Sequence, residues 1–236
     1  MRIVVGAMAR SGSTWTFNAA RLLAQEVFDP SKINAADNRL FKPMDGMDLE
    51  IIKTHATDGK QLPADKIVTC LRDMRDALCS AAKANIIEVS AFNRRGLTPG
   101  VFDGMRLLFE APSYFWAKHA GYFVRYEYLH FNKMGVLLAL GDYLFPGHEF
   151  SEEKLHEIAI LLDLMPKIYG DAMDGEEEKG YLHGGRHIQG VGVMGHIEML
   201  DLGDIVDIDR EFESWFKYFQ YPLHDEYGKL EAKLYE

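Results

Sequence analysis

The sequence predicts one α/β domain spanning residues 1–236, in which buried parallel strands hand over directly to helices. Three observations carry this. Arg2-Ile3-Val4-Val5-Gly6-Ala7 is a short apolar run suited to a buried parallel strand; it breaks into small residues and resumes as a helix over residues 17–23. Lys66-Ile67-Val68-Thr69-Cys70-Leu71 is a second apolar strand and runs straight into Arg72-Asp73-Met74-Arg75-Asp76, where Asp73 suits an N-cap and Asp76 adds a carboxylate to the first turn. Residues 121–129 again read as a strand entering a helix.

The elements follow in order. A strand, a small-residue turn and a helix aim several backbone N–H groups and a helix dipole at one anion. Within that turn Gly12 permits close backbone approach, Ser13 and Thr14 bring hydroxyls, and Arg10 brings a permanent cation. A Walker A loop would have Lys directly after its last glycine, whereas Gly12 is followed by Ser13. The helix continues to about Val27, with Trp15, Ala19, Leu22, Leu23 and Val27 spaced as a core-facing stripe. Residues 29–48 read as an irregular connection with one helical turn. Residues 49–55 form a short strand ending in Lys53-Thr54-His55, which taken alone is a solvated strand end. In an open α/β sheet, however, ligands sit at the carboxyl ends of the strands.

Residues 93–100 read as a loop, and Phe102, Leu107, Leu108, Phe109, Tyr114, Phe115 and Trp116 as a helix whose apolar stripe is core. A core helix covers residues 136–144, and Ser151 caps another that carries Leu155, Ile158, Ala159 and Leu162. Residues 184–196 hold enough glycine for a hinged segment. Phe212, Trp215, Phe216 and Phe219 close the core from the C-terminal side.

Composition excludes several classes. A formal net charge of −10 argues against general binding to nucleic acid or to an anionic membrane, both of which reward a basic surface. No apolar run approaches the roughly 18 residues that span a bilayer, and the N-terminus lacks a signal-peptide pattern. Two cysteines in apolar surroundings, Cys70 and Cys79, suit a reducing cytoplasm. No His/Cys/Asp cluster has metal-ligand spacing, so no metal is expected.

Against that acidic background the motifs form a set. Ala9-Arg10-Ser11-Gly12-Ser13-Thr14-Trp15 resembles the 5′-phosphosulfate loop of the cytosolic-type sulfotransferases, usually Pro-Lys-Ser-Gly-Thr-Thr-Trp. Ile52-Lys53-Thr54-His55 resembles that family's Ile-Lys-Thr-His segment. Arg72 through Asp76, with Ser80 eight residues after Arg72, resembles its Arg-Asp-Pro-Arg-Asp helix start, with Met74 where Pro is usual. Val124-Arg125-Tyr126-Glu127-Tyr128-Leu129 is similar to its Val-x-Tyr-Glu-Asp-Leu strand, with Tyr128 in place of Asp. The glycine-rich segment matches its lid loosely, at Arg186 only.

The resemblance spans about residues 1–200 and implies a three-layer P-loop-type sandwich with a central parallel β-sheet flanked by helices. It implies 3′-phosphoadenosine 5′-phosphosulfate (PAPS) as co-substrate, 3′,5′-ADP (PAP) as product, and a small-molecule acceptor bearing a hydroxyl or amine. Carried over by position, His55 is the base, and Lys53 and Arg10 stabilise the leaving group. Residues 10–15 hold the 5′ side, Arg72, Ser80 and Arg186 the 3′-phosphate, and Trp15 and Tyr126 the adenine. The acceptor would lie along residues 86–120. Two other readings compete: a P-loop kinase-like ATP phosphotransferase, and a nucleotide-binding protein without turnover.

Overall fold

The computed structural model describes residues 1–87, 92–93, 96–169 and 195–226. Its centre is an all-parallel five-stranded sheet: β1 (Arg2–Ala7), β2 (Ile33–Asp37), β3 (Leu49–Thr54), β4 (Lys66–Leu71) and β7 (Tyr122–Arg125), in the order β2-β3-β1-β4-β7. Two-residue strands β5 (Phe92–Asn93) and β6 (Gly96–Leu97) pair separately as an antiparallel ladder in the region read as a loop.

The alternate faces of β1 explain the layers. Ile3, Val5 and Ala7 meet α1 (Ser13–Ala24), α5 (Tyr128–Phe131), α6 (Lys133–Leu144) and α7 (Glu152–Tyr169) on one side. Val4 on the other side meets Ile52, Ile67 and Trp116 of α4 (Ala111–His119). Beyond Leu71, Met74, Leu78 and Cys79 of α2 (Met74–Lys83) pack with α3 (Pro99–Met105), α8 (Leu202–Glu211) and α9 (Glu213–Tyr218). Phe212, Trp215, Phe216 and Phe219 are all buried there, as their helical spacing predicts. Helices thus cover both faces of the parallel sheet, as such strands require.

Three local features position the site. A Cβ on Gly6 would lie 2.2 Å from the Trp116 ring, so only glycine lets α4 lie this close to β1. Residues 99–119 are not one regular helix: Arg106–Glu110 winds as a π-turn between α3 and α4. Pro112 has no N–H to return to the Leu108 carbonyl four residues earlier, and that carbonyl accepts instead from Ala9 N in the loop after β1, at 3.0 Å. The third feature corrects the sequence reading. The connection over residues 29–48 contains the helical turn expected (Pro30–Lys32), but Ile33–Asp37 is an edge strand paired in register with β3. Its backbone hydrogen bonds, rather than its side chains, make it a strand.

Candidate active site

Parallel strands bring all their carboxyl ends to one edge, and β1 lies where the connections diverge to either side of it, so a crevice opens there. Each strand delivers a polar or charged residue at or just past its end: Arg10 after β1, Asp37 from β2, Lys53 and His55 from β3, Arg72 after β4 and Tyr126 after β7. All line one cleft of about 770 Å³. Five Arg and Lys side chains face it against two aspartates, in a chain of net charge −10. The cleft is therefore a local anion site.

The turn after β1 is built for an anion. Gly12 caps α1 with φ +87°, and Arg10 also takes a positive φ, +62°. A left-handed arginine is uncommon, and such strain gathers at functional turns. Gly12 offers α1 no side-chain cap, and Gly12, Ser13 and Thr14 line the cleft, so the N-terminus of the helix faces it. Ser11 is buried and donates to the Met8 carbonyl (2.8 Å), so its hydroxyl shapes the turn. Ser13, Thr14 and Trp15 line the cleft, and Trp15 also packs against the core. Tyr126 closes over Gly12, where an added Cβ would meet its ring at 2.9 Å.

On the β4 side, Arg10 Nε donates to Ser80 Oγ (3.0 Å) and Arg72 Nη1 to the Arg10 carbonyl (3.3 Å). The Arg72 guanidinium stacks 3.9 Å from the Tyr126 ring centroid. Burial, then the like charge of Arg72, pulls the Arg10 pKa down. Two guanidiniums held together in this way are what a phosphate dianion would relieve. Arg10 thus stands with Arg72 and Ser80. Asp73 fixes this group: it caps α2 through Arg75 N (2.9 Å), and its own N–H donates to Glu127 Oε1 (2.9 Å). Glu127, the acid of the Tyr-Glu pair, is therefore a strut between β7 and α2.

On the other side, His55 Nδ1 lies 2.8 Å from the Ala7 carbonyl oxygen. A carbonyl can only accept, so Nδ1 carries the proton and Nε2 keeps a lone pair. Burial, then Lys53, pushes the His55 pKa down to about 4, below the 6.5 expected from the residue type alone, so the ring is neutral throughout the physiological range. Lys53 Nζ stands 3.6 Å from Asp37 Oδ2, both side chains nearly buried. Burial lowers the Lys53 pKa, and Asp37 opposes that. Burial also pushes the Asp37 carboxyl up, but hydrogen bonds from Arg39 and the charge of Lys53 more than offset this, and it ends below the usual range.

Sequence reasoning missed Asp37 and Arg39, at and just past the end of β2, and nothing in the Asp37-Asn38-Arg39 run marks them. Leu107, Leu108 and Pro112 give the cleft an apolar lining, while Phe109 and Trp116 of the same stripe are buried core. His130 and Lys133 also line the cleft, and Lys133 is paired with Asp163. Arg186 and most of the glycine-rich segment lie outside the described residues. Its end is described: buried His196 donates its backbone N–H to Asp76 Oδ1 (2.8 Å). Among the described residues no His/Cys/Asp/Glu group could hold a metal ion, and no helix is long and apolar enough to cross a membrane.

No protein-family model and no curated protein sequence matches the chain. Solved structures do. A retinol dehydratase in complex with androsterone and the inactive cofactor PAP superposes with TM-score 0.61 at 16% identity, over 92% of this chain and 80% of that one. Retinol dehydratase in a complex with retinol and PAP gives 0.59 at 16%, over 92% and 81%. Mouse sulfotransferase SULT7A1 with PAP gives 0.58 at 14%, over 92% and 84%. These likenesses establish a shared α/β fold.

Proposed function

We propose that the protein is a PAPS-dependent sulfotransferase, acting in the cytoplasm, that moves the sulfuryl group to a hydroxyl or amine of a small-molecule acceptor. The observation that carries this is the convergence of Arg10, Lys53, His55 and Arg72 from three strand ends, and of Ser80 from α2, on one cationic cleft. The shared fold with PAP-bound proteins supports the choice of nucleotide.

The residues fit that donor. Arg72, Ser80 and Arg10 would hold the 3′-phosphate, with Arg186 as a further contact. The turn from Ser11 to Thr14 would hold the 5′ side, and Trp15 and Tyr126 would flank the adenine. PAPS supplies an activated sulfuryl group. His55 Nε2 takes the acceptor proton while the acceptor oxygen (or nitrogen) bonds to sulfur, and the bond from sulfur to the bridging oxygen breaks with its electron pair left on PAP. Lys53 stabilises the charge that develops on that oxygen, while Arg10 stays with the 3′-phosphate. Bound anions counter Lys53 and raise the His55 pKa toward neutrality, which strengthens it as a base. The apolar wall at Leu107, Leu108 and Pro112 favours an acceptor with an aromatic or aliphatic body.

The test is PAP release from PAPS, with EDTA present, over a panel of phenols, aliphatic alcohols and amines. Acceptor-dependent release supports the proposal. Phosphoryl transfer from Mg·ATP in the same panel would replace it with the kinase reading, and tight PAP binding without any transfer would leave a binding protein.

A further inference from the structure

Beside Lys53 stands a carboxylate for which the proposed reaction has no direct use. Asp37 ends β2 and is the register partner of Lys53 on β3. Its Oδ2 lies 3.6 Å from Lys53 Nζ. Strand pairing continues past both residues, because Asn38 N donates to the Lys53 carbonyl at 2.9 Å, so backbone hydrogen bonds lock the pair in place. The other Asp37 oxygen accepts from Arg39 N (3.2 Å) and Arg39 Nε (2.8 Å), with Arg39 reaching in from the exposed side.

A negative charge in a cleft meant for polyanions opposes binding, so its placement calls for a compensating gain. That gain is at Lys53. A buried amine sheds its proton unless an anion stands beside it. We propose that Asp37 is a positioning residue for the sulfuryl transfer proposed above: it keeps the Lys53 side chain an ammonium ion aimed into the cleft, while hydrogen bonds from Arg39 hold the carboxylate in place. This rests on that functional reading.

The groups acting on Lys53 are Asp37 at the end of β2 and Arg39 just past it, Cys70 from β4 and His55 from its own strand end. Arg39 is positive, and His55 is neutral above about pH 4. The Cys70 thiol is pushed up to about 12 by burial. Of these four, Asp37 is the one anion at neutral pH. Removing its charge must therefore lower the pH at which Lys53 loses its proton, and the alkaline limb of kcat/KM must move down with it. An adjacent opposite charge moves a pKa by about 1–3 units, which sets the expected size.

The experiment measures kcat/KM against pH with PAPS and 2-naphthol for the wild type, Asp37→Asn, Asp37→Glu and Arg39→Ala. In parallel, trace acetylation of Lys53 with acetic anhydride, read by mass spectrometry across pH, follows the amine without requiring turnover. Asp37→Asn is expected to move the alkaline limb and the acetylation midpoint down together by about one unit or more, with the rate at pH 6 recovering most of the wild-type value. Asp37→Glu restores the limb. Arg39→Ala removes a positive neighbour from an exposed position, so it tests the sign even where Asp37→Asn does not fold: its limb moves up. A pH-independent loss in Asp37→Asn, an unmoved acetylation midpoint, or a downward shift in Arg39→Ala overturns the proposal. If the wild type transfers no sulfuryl group, the functional reading fails, and the acetylation midpoints still decide whether Asp37 controls Lys53.

Discussion

The two flanks of the turn after β1 handle charge in opposite ways. On the β4 flank, Arg10 and Arg72 sit together, Arg10 on Ser80 and Arg72 against the Tyr126 ring, and the like charge of Arg72 on Arg10 is there for a ligand to relieve. On the β2–β3 flank, Lys53 is matched inside the protein by Asp37, and Asp37 by Arg39. A flank where two like charges meet gains most when an anion arrives, so it should govern affinity. The internally matched flank holds a fixed arrangement before and after binding, which suits groups whose work falls in the transition state.

Substitutions can break this division. The largest effect is expected at His55: His55→Ala should lower kcat by about 10²–10⁴ while 3′,5′-ADP affinity by calorimetry stays within about twofold. A comparable loss of affinity would merge the two flanks. Arg72→Ala should weaken 3′,5′-ADP by about 10- to 100-fold, the value of a charge-assisted phosphate contact, and leave 5′-AMP nearly unchanged. Equal weakening of both nucleotides would place Arg72 away from the 3′-phosphate.

Between the flanks, Gly12→Ala should cost about 1–3 kcal/mol in thermal or urea unfolding, because its φ is +87° and the new Cβ would meet the Tyr126 ring at 2.9 Å.

A pH effect also separates the flanks. The folded state holds His55 neutral down to about pH 4, whereas an unfolded chain protonates it near 6.5. The stability this contributes is complete above pH 6.5, erodes as pH falls from there, and is gone below about 4. Melting temperatures of wild type and His55→Gln should therefore converge on acidification; a constant difference would contradict the burial argument. The smallest expected effect is none: EDTA should leave transfer unchanged.

The β4 flank was readable in the sequence because its information is local. Strand, Arg72, the Asp73 cap and Ser80 two helical turns on lie within fifteen residues, and the structure reproduces the strand bounds and the cap. The β2 contribution was not readable. Ile33-Asn34-Ala35-Ala36-Asp37 lacks the β-branched or alternating pattern of a strand, and only its pairing with β3 makes it one. Asp37 and Arg39 went unseen with it. The acidity of His55 was hidden for a similar reason, since it comes from burial by other elements and from Lys53. The sequence predicts a helix through Phe102 to Trp116, but the π-turn needs the Pro112 and Leu108 argument in three dimensions.

The central claim is that this cleft grips an adenosine carrying phosphate at both its 3′ and 5′ positions. Calorimetry of the intact protein with 3′,5′-ADP in EDTA, against ATP with Mg²⁺, tests it most directly. The account predicts that 3′,5′-ADP binds at least about tenfold more tightly, which corresponds to about 1.4 kcal/mol. Tighter binding of Mg·ATP would contradict it.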